Sequence, residues 1–231
     1  KVQHELIDLC ADVESVRLLE DLYDFRANPD YERQRDPSPI SEIYFPNFIK
    51  HRDDEVFVDC GACDGDTVKA FKDHWDKWTC IVAIEPDEEN FEKLRENVGG
   101  LPMTLNFAVA DYVGSAQFSS NGDYSSHISE EDIGHEVQAV KIDVLDIHPH
   151  PTYIKMDIEG AELEALWGAR KILKEHSPVL AICAYHTSDH LWEIPLLIHA
   201  IQPDYRLYLR RYGEGAWEIV WYAVPPERVK E

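Results

Sequence analysis

Short apolar segments alternate with amphipathic segments along most of the chain, and this alternation restricts the folds that the sequence can adopt. The apolar segments have the length of buried strands, and the segments between them carry apolar residues at helical spacing. Strands are predicted at residues 56–60, 81–84, 104–109, 137–142, 153–156, 179–185, 206–210 and 218–223, and helices at 67–75, 88–98, 161–173 and 191–201. Strands that alternate with helices build a mainly parallel sheet with helices on both faces. The last two strands flank Gly213 and Gly215, which is typical of a hairpin and predicts an antiparallel final strand.

The first 46 residues do not follow this alternation. Residues 1–27 carry apolar residues at helical spacing, and residues 28–46 contain prolines that interrupt regular structure. The sequence therefore predicts an N-terminal helical extension and linker over residues 1–43, followed by one α/β domain over residues 44–231. We expect the helical extension either to cover a ligand pocket or to bury its apolar stripe in a homodimer.

The charge of the chain limits its partners. There are 22 Lys and Arg residues against 45 Asp and Glu residues, a net charge of −23, and the longest basic run is Arg210-Arg211. A chain this acidic repels polyanions, so nucleic acid and anionic membranes are not expected as partners. The five cysteines are an odd number and lie partly in apolar runs, which favours reduced thiols and a cytoplasmic location. No apolar run is long enough for a transmembrane helix, and no secretory signal is recognisable.

A loop rich in glycine and aspartate follows the first predicted strand. Gly61 and Gly65 permit a tight turn and a close approach of the backbone to a ligand. The loop does not have the G-x-G-x-x-G spacing of a dinucleotide site. Cys60 and Cys63 form a C-x-x-C pair without a second pair or a nearby histidine, so we interpret them as small packing residues and not as a metal or redox site.

The carboxylates of this loop indicate the charge of its ligand. Asp59, Asp64 and Asp66 would repel a pyrophosphate and would attract a ligand that carries an ammonium and a sulfonium group. This difference favours S-adenosylmethionine over NAD as the cofactor. The candidate cofactor-binding residues of the loop are Asp59, Gly61, Ala62, Asp64, Gly65 and Thr67.

Further candidate cofactor-binding residues follow the next strands. Glu85 ends the second strand, where an acid can accept both hydroxyls of a ribose, although it can also serve the start of the next helix, and Pro86 then ends the strand. Asn106 and Asp111 flank the end of the third strand, and either can bind an adenine amino group, while Asp111 is equally typical of a plain turn. Ser126 lies in an irregular segment that either closes over the cofactor or forms a solvated turn.

The segment Tyr-Ile-Lys-Met-Asp-Ile-Glu-Gly-Ala-Glu at residues 153–162 resembles the signature of the FkbM family of methyltransferases. Further agreement comes from the glycine loop, Glu85-Pro86, Leu145-Asp146, Gly168-Ala169, Ala184-Tyr185-His186 and residues 191–195. The resemblance covers about residues 44–225. It implies a class I methyltransferase (Rossmann-like) fold, with a sheet of about seven strands whose last strand is antiparallel. It also implies S-adenosylmethionine as methyl donor and a hydroxyl acceptor on a sugar, polyketide or other small metabolite.

The candidate catalytic residues lie at the ends of two later strands. An alcohol is a poor nucleophile while it is protonated, so a base near the methyl group is expected. Asp157 is the first candidate for base or for orienter of the acceptor, with capping of the following helix as its alternative role, and Glu159 can play either part. His186 ends the next strand, and an imidazole titrates near neutral pH, although a single histidine is often structural. An ion pair of Lys155 with Asp157 or Glu159 would favour orientation over proton abstraction.

Two alternatives to a simple O-methyltransferase remain open. The chain can be a cofactor-binding protein of the same fold without turnover, because the assignment of a base rests on Asp157 and His186 alone. Two acids and a histidine can also hold a divalent cation that assists O-methylation, but their spacing matches no strong metal template, so no metal ligand is predicted.

Overall fold

The structure, a computed structural model, describes residues 2–100, 103–119, 127–128 and 135–230. The helices of these residues are α1 (Val2–Leu9), α2 (Val13–Ala27), α3 (Asp66–His74), α4 (Glu88–Val98), α5 (Glu162–Gly168), α6 (Arg170–His176) and α7 (His190–Ile201). The strands are β1 (Val56–Cys60), β2 (Cys80–Ile84), β3 (Met103–Leu105), β4 (Ala108–Val109), β5 (Gly114–Ser119), β6 (His127–Ile128), β7 (His135–Val140), β8 (Tyr153–Met156), β9 (Val179–Cys183), β10 (Arg206–Arg211) and β11 (Ile219–Val224). The chain divides into two compact units, residues 51–178 and residues 1–50 with 179–231.

The predicted fold class is confirmed as a mixed α/β fold whose central sheet has seven strands among the described residues. Residues 51–178 contribute four of them in the order β8-β1-β2-β3, and all of these neighbours pair in parallel. The other unit contributes three in the order β10-β11-β9, and β11 runs antiparallel to both neighbours, as predicted for the final strand. All five residues of β1 are buried, which explains why this strand is a continuous apolar run apart from Asp59.

A second sheet departs from the sequence prediction. Its order is β4-β7-β5-β6, and it buries a small cluster made of Ala108, Ala110, Ala116, Phe118, Val137 and Ala139. The single strand predicted at residues 104–109 is wrong: β3 ends at Leu105, and the Asn106 side chain turns back to the carbonyl groups of Glu85 and Pro86. The prediction of an edge strand at 137–142 is also wrong, because β7 lies between β4 and β5.

The helix predicted at residues 161–173 is divided at Ala169. Helix α5 ends at Gly168, where an added Cβ atom would lie 2.0 Å from the carbonyl oxygen of Ala110. Helix α6 then begins at Arg170, and the carboxylate of Asp143 accepts hydrogen bonds from the backbone of Lys171 and Ile172, both at 3.0 Å. A carboxylate that binds the first backbone N–H groups stabilises a helix start, so a distant acid creates the second helix.

The helix predicted at residues 1–27 is likewise two helices. The backbone N–H of Ala11 donates to the carbonyl of Leu207 at 2.7 Å, and Asp12 then caps α2 by accepting from the backbone N–H of Ser15 at 2.8 Å. This break resets the helical phase, so that Val13 is 63% exposed while the buried face of α2 is Ser15, Leu19 and Leu22. Among the described residues no helix combines the length and apolarity needed to span a membrane. A homodimer through this segment stays a prediction.

Ser15 ties α2 to the strand β10. Its hydroxyl is buried, accepts a hydrogen bond from the backbone N–H of Leu209 at 2.9 Å and also contacts the guanidinium of Arg210 at 3.1 Å. Since β10 is the last strand in the order of its sheet, this contact satisfies a backbone group that would otherwise lack a strand partner.

We expect Ser15→Ala to lower the free energy of unfolding by about 1–3 kcal/mol, because it leaves a buried N–H group unsatisfied. Urea denaturation measures the change, and Ser188→Ala, at an exposed serine of the same unit, serves as the control. Equal midpoints for the two variants would show that the contact with Leu209 does not matter.

Candidate functional site

The glycine loop after β1 is pinned to the end of β2. The backbone N–H groups of Gly61 and Ala62 both donate to the carbonyl of Ile84 at 3.0 Å. Gly61 has φ +75°, and an added Cβ atom would lie 1.8 Å from the carbonyl oxygen of Asp157. Gly65 has φ +91°, and its Cβ atom would lie 2.6 Å from the Val98 side chain. Both positions therefore require glycine, for backbone conformation and for space.

An ion pair lies beneath this loop. Asp59 and Lys155 stand opposite each other in the parallel pairing of β1 and β8, and both are buried. The Lys155 ammonium is 3.0 Å from Asp59 Oδ1 and donates to the carbonyl of Gly61 at 2.7 Å. Burial raises the pKa of Asp59 to about 6, and the positive charge of Lys155 opposes that rise. Lys155 thus fixes the start of the loop.

This pair was not predicted from the sequence, where the expected partners of Lys155 were Asp157 and Glu159, its neighbours along the chain. The signal was present nonetheless, because one acid and one base interrupt two apolar runs that are both predicted as buried strands. Buried charges require partners of opposite sign, and this rule favours pairing Asp59 with Lys155. The other carboxylate oxygen, Asp59 Oδ2, is buried and has no hydrogen-bond partner among the described residues.

Glu85 is held at the end of β2 by backbone groups. Its carboxylate accepts from the N–H of Cys63 at 2.8 Å and from the N–H of Asp87 at 2.9 Å, one bond for each oxygen. Each carboxylate oxygen keeps a further acceptor position. Burial raises the pKa of Glu85 to about 7. Helix α4 is capped by Asp87, which accepts from the N–H of Asn90 at 2.9 Å, so the capping role considered for Glu85 belongs to its neighbour.

The three loop carboxylates differ in how far they are exposed to solvent. Asp59 is fully buried, whereas Asp66 is exposed in the first turn of α3 and accepts from the N–H of Thr67 at 2.5 Å. Asp64 is half-buried and accepts from the N–H of Asp66 at 3.3 Å. Asp64 and Asp66 line a cavity of about 580 Å³ together with Gly65, Val68, Lys69, Lys72, Asn97 and Val98. The two lysines offset part of the negative charge there, so the carboxylates are not equivalent.

The remaining cofactor candidates, Asn106, Asp111 and Ser126, lie in different environments. The amide nitrogen of Asn106 donates to the carbonyl groups of Glu85 and Pro86 at 2.9 and 3.0 Å. Asn106 therefore holds the segment after β2 with its amide nitrogen, whereas a bond from an adenine amino group would need its amide oxygen. Asp111 is exposed in a bend after the short strand β4. Ser126 lies outside the described residues.

The segment after β8 forms a strained turn. The N–H of Asp157 donates to the carbonyl of Cys60 at 3.1 Å, which places the half-buried Asp157 beside the end of β1. Glu159 has φ +55° and Gly160 has φ +108°, and Glu162 accepts from the N–H of Ile158 at 3.0 Å. The N-cap position of α5 is Ala161, so Asp157 is not the helix cap that the sequence allowed. Left-handed backbone at a non-glycine residue is typical of functional sites.

The unit made of residues 1–50 and 179–231 carries the last catalytic candidate. After β9 the N–H of Ala184 donates to the carbonyl of Ile219 at 2.8 Å, which extends the strand pairing by one residue. Tyr185 and His186 follow, both half-buried, and their ring centroids are 4.2 Å apart. His186 therefore lies three residues beyond the end of β9, because the strand ends at Cys183 and not at Tyr185 as predicted.

The strand order β10-β11-β9-β8-β1-β2-β3 with an antiparallel β11, together with the glycine turn after β1 and the acid at the end of β2, defines a class I methyltransferase fold. The model of the "Methyltransferase FkbM domain" matches residues 59–214, and the chain belongs to this family. A crystal structure of methyltransferase FkbM from Methylobacillus flagellatus KT is similar, with 30% identity and a TM-score of 0.81. That similarity covers 96% of this chain and 58% of the other, so this chain spans little more than half of that relative.

A precorrin-6y C5,15-methyltransferase structure from Geobacter metallireducens GS-15 has 14% identity and a TM-score of 0.47, and the match covers 82% of this chain and 94% of the other. Among curated proteins, none matches this chain.

Proposed function

We propose that the chain is an S-adenosylmethionine-dependent methyltransferase that acts on a hydroxyl group of a small molecule. The observation that carries this proposal is Glu85, whose carboxylate is oriented by two backbone N–H groups at the end of β2. An acid in this place accepts the two hydroxyls of a ribose. The family membership supports a methyl donor of the S-adenosylmethionine type.

The residues present fit this cofactor. The turn at Gly61 brings the backbone close to the strand ends, and the buried Asp59 Oδ2 offers an acceptor without a partner among the described residues. The half-buried Asp64 and exposed Asp66 add negative charge around the loop. A ligand that carries an ammonium and a sulfonium group is attracted by these acids, and a pyrophosphate is repelled. When bound, S-adenosylmethionine supplies a methyl group that is already activated for transfer.

The residues of the chain then have to align the acceptor and remove its proton. We assign His186 as the general base, because it lies three residues beyond the end of β9 and histidine is the side chain best suited to take up a proton near neutral pH. We assign Asp157 and Glu159, which lie at the strained turn after β8, to the orientation of the acceptor hydroxyl. Lys155 is buried on Asp59 and Gly61, so we assign it as a positioning residue of the loop and not as a catalytic residue.

The test of activity uses the purified chain, S-adenosylmethionine labelled in its methyl group and fractions of a metabolite extract as the source of the acceptor. We expect label to appear in a small neutral product as an alkali-stable ether. We expect His186→Ala to lower the rate about 100-fold or more while binding of S-adenosylhomocysteine is kept. Cofactor binding without any transfer would support the alternative of a binding protein, and loss of transfer with EDTA would support metal assistance. Absence of cofactor binding in calorimetry would end the proposal.

We expect Glu85→Gln to weaken the binding of S-adenosylhomocysteine about 10- to 100-fold, because it removes the charge from a carboxylate that accepts ribose hydroxyls. The pKa of Glu85 is about 7 in the chain without ligand, so protons compete with the ligand for this carboxylate. The affinity of the unmodified chain is therefore expected to fall as the pH decreases below 7. The part of this pH dependence that comes from Glu85 should be absent from the glutamine variant. Titration calorimetry between pH 5.5 and 8.5 measures both effects.

The matched control is Glu88→Gln, at an exposed acid in the first turn of α4. It changes the net charge by the same amount and lies three residues further along the chain. Equal affinities for the two variants at pH 8 would remove Glu85 from the cofactor site.

A further inference from the structure

An exposed tryptophan stands on the turn between β10 and β11. The indole of Trp217 is 65% exposed, the highest exposed fraction of a tryptophan among the described residues. A single exposed apolar residue is common on protein surfaces, but tryptophan combines a large contact area with few rotatable bonds. The exposed ring of Trp217 therefore offers a binding surface, and its surroundings decide what that surface can bind.

The turn that carries Trp217 is fixed from beneath. The side-chain amide of Gln34 donates to the carbonyl of Gly215 and accepts from the N–H of Gly215, each at 3.0 Å. The buried guanidinium of Arg211 donates to the same carbonyl of Gly215 at 3.1 Å. The N–H of Trp217 donates to the carbonyl of Glu214 at 3.2 Å. An added Cβ atom on Gly213 would lie 3.1 Å from Trp217 Cβ, so the chain packs closely here. The exposed indole thus stands on a braced turn, and little conformational entropy is lost when it binds a ring.

Trp217 continues a row of rings that starts at the proposed base. The centroids of Trp217 and Tyr185 are 5.8 Å apart at an interplanar angle of 61°, and those of Tyr185 and His186 are 4.2 Å apart at 43°. All three residues belong to the unit of residues 1–50 and 179–231. The edge-to-face contact with Tyr185 uses part of the indole, and its exposure leaves much of the ring surface open to a second ring.

We propose that Trp217 is a specificity-determining residue that packs against a neutral ring of the methyl acceptor, while the hydroxyl of that ring reaches His186. This inference rests on the proposed function. A ring with polarised C–H groups is attracted by the negative face of an indole, and both a saccharide and a phenol offer such groups. An anionic acceptor is disfavoured, because Glu214 is exposed on the same turn and the chain has a net charge of −23.

The test compares Trp217→Ala, Trp217→Phe and Trp167→Ala, the last a control at the 47% exposed tryptophan of α5. Saturation-transfer NMR and titration calorimetry measure the binding of methyl β-D-glucopyranoside, catechol, glucose 6-phosphate and glycerol, in the presence of S-adenosylhomocysteine. We expect one of the two neutral rings to bind, about tenfold more weakly to Trp217→Ala, with an intermediate value for Trp217→Phe and none of this loss for Trp167→Ala. Which ring binds identifies the saccharide or the phenol as the source.

The failure of this inference differs from the failure of the proposed function. Two results would overturn only the inference that Trp217 selects the acceptor. In the first, S-adenosylhomocysteine binds normally but neither neutral ring binds. In the second, Trp217→Ala and Trp167→Ala bind the neutral ring equally well. Tighter binding of glucose 6-phosphate than of the neutral glucoside would also overturn it. The proposed function fails separately, through the absence of cofactor binding. Circular dichroism of Trp217→Ala checks that a loss of binding is not a loss of folding.

Discussion

Gly61→Ala is expected to lower the free energy of unfolding by about 4 kcal/mol and to abolish cofactor binding. An alanine at φ +75° is strained by about 1–2 kcal/mol. In addition, its Cβ atom would lie 1.8 Å from the carbonyl oxygen of Asp157, so the ends of β1 and β8 must separate. That separation displaces the Gly61 carbonyl from the Lys155 ammonium. Urea denaturation and titration calorimetry with S-adenosylhomocysteine measure the two effects.

A control with nearly the same φ angle separates backbone strain from atomic overlap. Gly100 has φ +74°, and no atom of the described residues lies within 4 Å of its added Cβ atom. We expect Gly100→Ala to cost about 1–2 kcal/mol and to leave the cofactor affinity unchanged. If Gly61→Ala were no more harmful than Gly100→Ala, the contact with Asp157 would not be a requirement of the site.

Lys155→Met is expected to lower the free energy of unfolding by about 3–5 kcal/mol, because it leaves the Asp59 carboxylate buried without its positive partner. It also removes the donor that holds the Gly61 carbonyl. Combining it with Asp59→Asn should recover much of the loss, since no unpaired charge then remains. Urea denaturation of the two single variants and the double variant yields the coupling free energy between the two side chains.

The same variant has a predictable dependence on pH. Burial already raises the pKa of Asp59 above its value in the unfolded chain, so the neutral carboxyl favours the folded state and this benefit is lost as pH rises through about 6. Without Lys155 the pKa of Asp59 rises further. The loss of stability in Lys155→Met should therefore shrink as the pH falls from 8 to 5.

Lys77→Met is the control, because Lys77 is 2.9 Å from Asp53 and both side chains are mostly exposed. We expect it to change stability little at any pH. A deficit in Lys155→Met that does not change with pH would show that the buried charge of Asp59 is not its cause.

Several strand and helix positions within residues 51–178 were predictable, because they follow from local periodicity. Strands β1 and β8 and helix α4 have the predicted bounds, and each is a run with the period of its element. The prediction was wrong where a distant group intervenes. Asp143 starts a new helix at Arg170, Leu207 interrupts the N-terminal helix, and Asn106 turns away from its strand towards Glu85. Periodicity cannot report such contacts, because the partners are far apart in the chain.

The sequence by itself determined the α/β alternation, the glycine loop and the acid at the end of β2. Periodicity, the backbone freedom of glycine and the sign of a charge are properties of single residues and their neighbours. Only the tertiary structure decided which loop carboxylate is buried, that Lys155 holds Asp59 and Gly61, and that Trp217 stands exposed beside Tyr185. These facts depend on the register between strands: Asp59 meets Lys155 only because β1 and β8 pair side by side, although long stretches of chain separate them.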